Sequence, residues 1–127
     1  MGKIYANGFD LAVIASPMHM AGLPGPLVNL AGRFQVNYSA EHILKDKIVP
    51  KDKRGIFIPV GGGDGSPKQA ISLAKYMFSE MGVTLTDDDM ILSLNTNNLP
   101  AKEDTAALAK IQEISKGLQE RTGCETK

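Results

Sequence analysis

The chain has almost no cysteine. Of its 127 residues only Cys124 carries a thiol, so no disulfide framework can form within it and no Cys/His spacing marks a structural metal site. A reducing, cytoplasmic setting is the expectation. Charge of one sign is also missing: Lys plus Arg and Asp plus Glu both number 14, and no basic stripe stands ready to neutralise a phosphate backbone. Nucleic acid is not an expected partner. Apolar runs reach only about five residues, far short of a membrane-spanning helix, and Ala6 stands where a myristoylation signal after Met1-Gly2 needs Ser or Thr. With two histidines, His19 and His42, and its cysteine in a polar tail (122–127), the chain assembles no Ser/His/Asp or Cys/His nucleophile set.

What is present is an alternation of apolar strands and amphipathic helices, the pattern of βαβ units around a parallel sheet. The first strand, Asp10 to Ala15, is continuously apolar, as expected of a strand buried on both faces. A helix follows from Pro24 to Phe34, with Leu27, Leu30, Ala31 and Phe34 at helical spacing. A polar, lysine-rich segment then leads to a second strand, Gly55 to Val60. Ser66-Pro67 opens the next helix, whose Ile71, Ala74, Phe78 and Met81 make one face before Gly82 ends it. Val83 to Leu85 and a solvated Asp87-Asp88-Asp89 turn precede a third strand, Met90 to Leu94, and Asn95 to Pro100 form its loop. A last helix, Ala101 to Glu120, is expected to turn Ala107, Leu108, Ile111, Ile114 and Leu118 inward. The whole reads as one domain over residues 1–127.

Ligands of open parallel sheets bind outside the carboxyl ends of the strands. Two small-residue turns occupy that place here: Ser16-Pro17-Met18-His19-Met20-Ala21-Gly22 after the first strand, and Gly61-Gly62-Gly63-Asp64-Gly65 after the second. The glycine run is neither a P-loop, lacking Gly-Lys-Ser/Thr, nor a G-x-G-x-x-G fingerprint, having Ser66 at the last place. Alone it reads equally as a tight turn or a cradle. Met18 and Met20 read equally as gap-filling core or as ligand contacts, and His19 as an exposed loop residue or as a hydrogen-bond donor.

The runs DLAVIASPMHMAGLPGPLVNLAGRF, GIFIPVGGGDG and SLNTNNLPAKEDTAALAKI resemble the later two-thirds of the flavodoxin-like NAD(P)H-dependent FMN reductase family, the group that includes iron-sulfur flavoproteins. The likeness spans nearly the whole chain, and its most specific part is Ser16-Pro17 through Gly22, Pro24-Gly25 and Leu27 to Arg33. It implies a three-layer αβα sandwich with a parallel sheet, lacking the family's first two strands and first helices. It also implies FMN as cofactor and NAD(P)H as hydride donor, with Ser16, Pro17, Met18, His19, Met20 and Gly22 on one side of the flavin ring and Gly61, Gly62, Gly63 and Asp64 on the other.

Two departures shape the expectation. The family's FMN-phosphate loop has no counterpart ahead of Ile4, and His19 stands where the family commonly has tyrosine. An iron-sulfur cluster held by this chain alone is excluded, because Cys124 is its only cysteine. In the flavodoxin strand order the first strand here would lie at an open edge. The expected partner is therefore another copy of the chain or a complementary amino-terminal segment. The second reading consistent with these residues is a flavin-free α/β module that associates through that edge.

Overall fold

A computed structural model of the protein describes residues 8–45, 53–63 and 65–121. Asp64 and the polar tail fall outside them. Among the described residues the strands are β1 (Leu11–Pro17), β2 (Lys53–Val60) and β3 (Val83–Thr84), in one parallel sheet of order β1-β2-β3. The helices are α1 (Gly25–Arg33), α2 (Gln35–His42), α3 (Lys68–Glu80) and α4 (Thr105–Arg121). The class is α/β, as the alternation of elements predicts.

Alternate residues of β2 face opposite ways, and this divides the core in two. On one face Phe57, wholly buried, packs with Ala70, Ala74, Met77 and Phe78 of α3 and with Ala31 and Phe34 from the α1 side. On the other, Ile56 packs with Ile91 and with Ala107 of α4. The sheet thus lies between helices. Gly55 is required by this packing: a Cβ there would lie 2.7 Å from Val83 Cγ1 and 3.3 Å from the Phe78 ring. The end of α3 also follows from its residues, since Gly82 takes φ +70° and donates its N–H to Ser79 O at 3.1 Å, the left-handed stop that glycine adopts without steric cost.

Five expectations are corrected. The segment after Phe34 is helical rather than merely polar, because no Gly or Pro stops the chain and α2 buries Asn37 and Ala40; the Asn37 amide donates to Glu80 O at 3.2 Å. Met90 to Leu94 is not a regular strand. It touches β2 through isolated parallel bridges, Phe57 with Met90 and Val60 with Ser93, while the regular pairing is confined to Val83–Thr84. The Asp87–Asp89 turn is a 3-10 turn that is only partly solvated: Asp89 is 5% exposed and accepts two bonds from Arg54, Nε at 3.0 Å and Nη2 at 2.5 Å. The Arg54 guanidinium accordingly holds the Asp89 carboxyl below its ordinary pKa, against the opposing effect of burial. On α4, Leu108 and Ile111 are exposed, because a three-stranded sheet is too narrow to cover every apolar side chain of that helix. Finally, β1 is not buried on both faces: Val13 is 52% exposed, and Ala15 and Pro17 are exposed too.

Candidate functional site

The loops leaving β1 and β2 meet. Their seam begins with Met18 N–H donating to Val60 O at 2.8 Å. Beyond it, His19 and Gly22 exchange two backbone hydrogen bonds, each 2.9 Å. Between them Met20 and Ala21 sit at φ +49° and +65°, the sign pattern of a type I′ turn, which ordinarily calls for Asn-Gly. Met20 is wholly exposed at the tip of this turn.

The glycine run lies opposite. Gly61 donates its N–H to Ser93 O at 2.9 Å and accepts from Thr96 N–H at 3.0 Å, so it joins the loop after β2 to the segment on both sides of Leu94. Two glycines sit in close approach: a Cβ on Gly62 would overlap the Asn97 amide, 2.8 Å from its Cγ, so that side chain would have to move, and one on Gly65 would lie 3.2 Å from Ala21 Cβ, a tight contact. At Gly63 nothing lies within 4 Å; that side is open.

Together the loops enclose a hollow of about 290 Å³. Met18, Met20 and Ala21 form one wall, Gly61, Gly62, Gly63 and Gly65 the other, and Leu94 contributes from the third segment. No charged side chain lines it among the described residues. Several backbone donors nearby are already engaged, namely those of Met18, His19, Gly22 and Gly61. The N–H groups of Met20, Ala21, Gly62 and Gly63 make no hydrogen bond among the described residues, so they are among the unengaged donors at residues that line the hollow.

The third segment is anchored from below. Ser93 Oγ donates to Asp104 Oδ2 at 2.9 Å, and Asp104 Oδ1 accepts the Ala107 N–H at 3.1 Å as the amino-terminal cap of α4. Those two bonds, the one from Ala107 first, lower the Asp104 pKa.

Of the expected site residues, Met18, Met20, Gly61, Gly62 and Gly63 surround the hollow. Ser16 is buried and donates its hydroxyl to Pro17 O at 3.0 Å, so it supports the strand end instead of facing the hollow. Pro17 and Gly22 shape the loop without lining it, His19 is exposed, and Asp64 lies outside the described residues. Ala21, Gly65 and Leu94 line the hollow and Asn97 abuts Gly62, and none of the four was expected as a site residue. The rule that placed the first two loops at carboxyl strand ends also applies to the segment after Leu94, and it was the available signal for the last two.

A larger hollow of about 760 Å³ opens at the opposite end of β2 among Arg54, Thr86, Asp88 and Arg121. Its central charges satisfy one another, Arg54 on Asp89, and it lies at the amino end of the strand. Among the described residues, no group of three or more His, Cys, Asp or Glu is placed to hold a metal ion, and no helix is long and apolar enough to cross a membrane. Comparison of the chain with models of known protein families, with curated proteins and with solved structures finds no match.

Proposed function

We propose that the hollow between the β1 and β2 loops holds the ring of a flavin, with the protein serving an NAD(P)H-dependent, flavodoxin-like FMN oxidoreductase activity. The observation that carries this reading is the meeting of the methionine turn and the glycine run around one apolar slot at the carboxyl ends of two parallel strands. Small-molecule sites span about 300–1,000 Å³ and are mostly apolar with a few placed polar groups. At about 290 Å³ the slot suits a flat ring system and is too small for a whole dinucleotide.

When bound, the flavin would supply the hydride and electron chemistry. Residues of this chain would position it. Met18, Met20 and Leu94 offer polarizable and apolar contact, and the lack of a side chain at Gly62 and Gly63 lets backbone approach a planar ligand. The N–H groups of Met20, Ala21, Gly62 and Gly63 would supply donors to carbonyl oxygens and to the negative charge of a reduced ring, in a setting where donors fixed in advance need no reorganisation. No side-chain base is required for hydride transfer, which agrees with the lack of acidic or basic groups around the slot among the described residues.

Titration of the chain into FMN and into riboflavin, followed by flavin fluorescence, tests the proposal. Saturable quenching by both supports it. Gly63→Leu is the informative variant, because a Cβ there has nothing within 4 Å among the described residues and the change adds bulk at a position that lines the slot; Gly62 variants would first have to displace Asn97. The second reading, a flavin-free module that assembles through the edge of β1 left open among the described residues, forecasts no quenching by either compound.

A further inference from the structure

The face of β1 turned away from β2 is an unfinished ladder. Arg54 donates to Asp10 O at 3.0 Å and Met18 donates to Val60 O at 2.8 Å. Because the direction of strand backbone groups alternates, the even-numbered residues of β1 address β2, whereas Leu11, Val13 and Ala15 direct N–H and C=O outward. Among the described residues β1 pairs with β2 alone. Pro17 closes the open row at one end, since it has no N–H to give and its carbonyl already accepts the Ser16 hydroxyl.

Beside this row runs an apolar groove of about 400 Å³, lined by β1 and by Leu27, Leu30, Phe34, Met77 and Met81. No charged side chain lines it among the described residues, and β1 has none of the devices that blunt natural edges apart from Pro17: no lysine, no bulge, no inward charge. A charged or polar partner segment would leave its groups unpaired there.

We propose that this edge is filled by β1 of a second copy, antiparallel, with the two-fold axis at Val13. That register makes Val13 face Val13 and sets Leu11 opposite Ala15 as hydrogen-bonded pairs, so the three outward-facing residues of each strand exchange six backbone bonds. It also sets Ala12 opposite Ile14 on the groove side. Every pair then joins a large side chain to a small one, or valine to valine, and none brings charges together, so the strand is complementary to itself. The chain's net charge of zero adds no repulsion between copies. The pairing is independent of the flavin reading, because the slot lies beyond the carboxyl ends of β1 and β2.

The test measures sedimentation of the full chain from micromolar to hundreds of micromolar, with circular dichroism as the fold control. The intact chain is expected to dimerise, and Ala15→Pro, which deletes two of the six bonds across the symmetric pair, should weaken the dimer at least about tenfold. A positional probe removes dependence on that variant. In a Cys124→Ser background, Val13→Cys places two thiols across a pair whose Cα atoms are about 5.5 Å apart, within disulfide range. It should cross-link rapidly under mild oxidation, unlike Leu92→Cys on a distant exposed position. A monomer throughout the concentration range, or a dimer that Ala15→Pro leaves intact and Val13→Cys does not cross-link faster than Leu92→Cys, overturns the proposal.

Discussion

Replacing Met20-Ala21 with Asn-Gly should make the protein more stable and its site weaker. Both residues occupy left-handed backbone, φ +49° and +65°, where an L side chain with a Cβ costs roughly 1–2 kcal/mol. Met20 is wholly exposed, so its removal loses no packing in the free protein. Ala21→Gly removes the strain but frees the unfolded chain, an opposing effect of about 0.4–1 kcal/mol, leaving a gain of roughly 0.5–1. Met20→Asn adds several tenths, because asparagine tolerates this region better. The double variant should therefore gain about 1 kcal/mol, which moves a urea midpoint up by about 0.3–1 M at an unchanged slope. Flavin affinity should move the other way. A methionine side chain half covered by a ligand contributes about 1 kcal/mol, roughly fivefold in affinity, and the shorter, polar asparagine would not replace that contact. Such opposition of stability and binding is what strain held at a functional loop produces. A midpoint that stays put or falls would mean that the turn holds no such strain, and unchanged flavin affinity in a stabilised variant would remove Met20 from the site.

Gly55→Ala should destabilise by about 1–3 kcal/mol through overpacking against Val83 and Phe78, and Val83→Ala in the same chain should recover part of the loss, a coupling that a double-mutant cycle in urea measures. Breaking the pair through Asp89→Asn should cost about 2–3 kcal/mol, less than the ~3–5 of a fully buried pair because the Arg54 side chain is 29% exposed. Since the folded Asp89 pKa lies below its ordinary 3.8, its contribution is present above that value and disappears as pH falls through the folded pKa; the urea midpoint of Asp89→Asn should therefore decline less steeply than that of the intact chain on acidification below about pH 5. Asp104→Ala should loosen both the start of α4 and the Ser93 segment, seen as faster amide exchange at Ala107 together with weaker flavin binding, whereas Asp104→Asn, which keeps a capping oxygen, should retain most of both.

The elements that local chemistry dictates were legible in the residues. β2 announces itself as an apolar run, and α3 lies between Ser66-Pro67 and a glycine that must end it. The first two loops of the site followed from their place at carboxyl strand ends. What escaped depends on distant contacts. α2 presents only Asn37 and Ala40 inward, too faint a stripe to read beside its polar residues. Asp89 looks like one of three turn aspartates until Arg54, 35 positions away in sequence, is folded against it. The glycine run reads as a turn or a cradle, with Gly62 expected beside the ligand, but nothing local shows that the missing side chains of Gly62 and Gly65 also make room for Asn97 and Ala21. Ser16 reads as a ligand contact in the resemblance, but its hydroxyl is spent on Pro17 O.

Fluorescence titration of the intact chain and of Gly63→Leu with FMN and riboflavin decides whether the slot holds a flavin ring. Both flavins should be quenched saturably and with similar affinity by the intact chain, because the proposed contact is with the ring and no cationic side chain lines the slot among the described residues, and Gly63→Leu should abolish quenching while its circular dichroism and urea midpoint stay as in the intact chain. Absence of quenching by the intact chain, or equal quenching by Gly63→Leu, would contradict it.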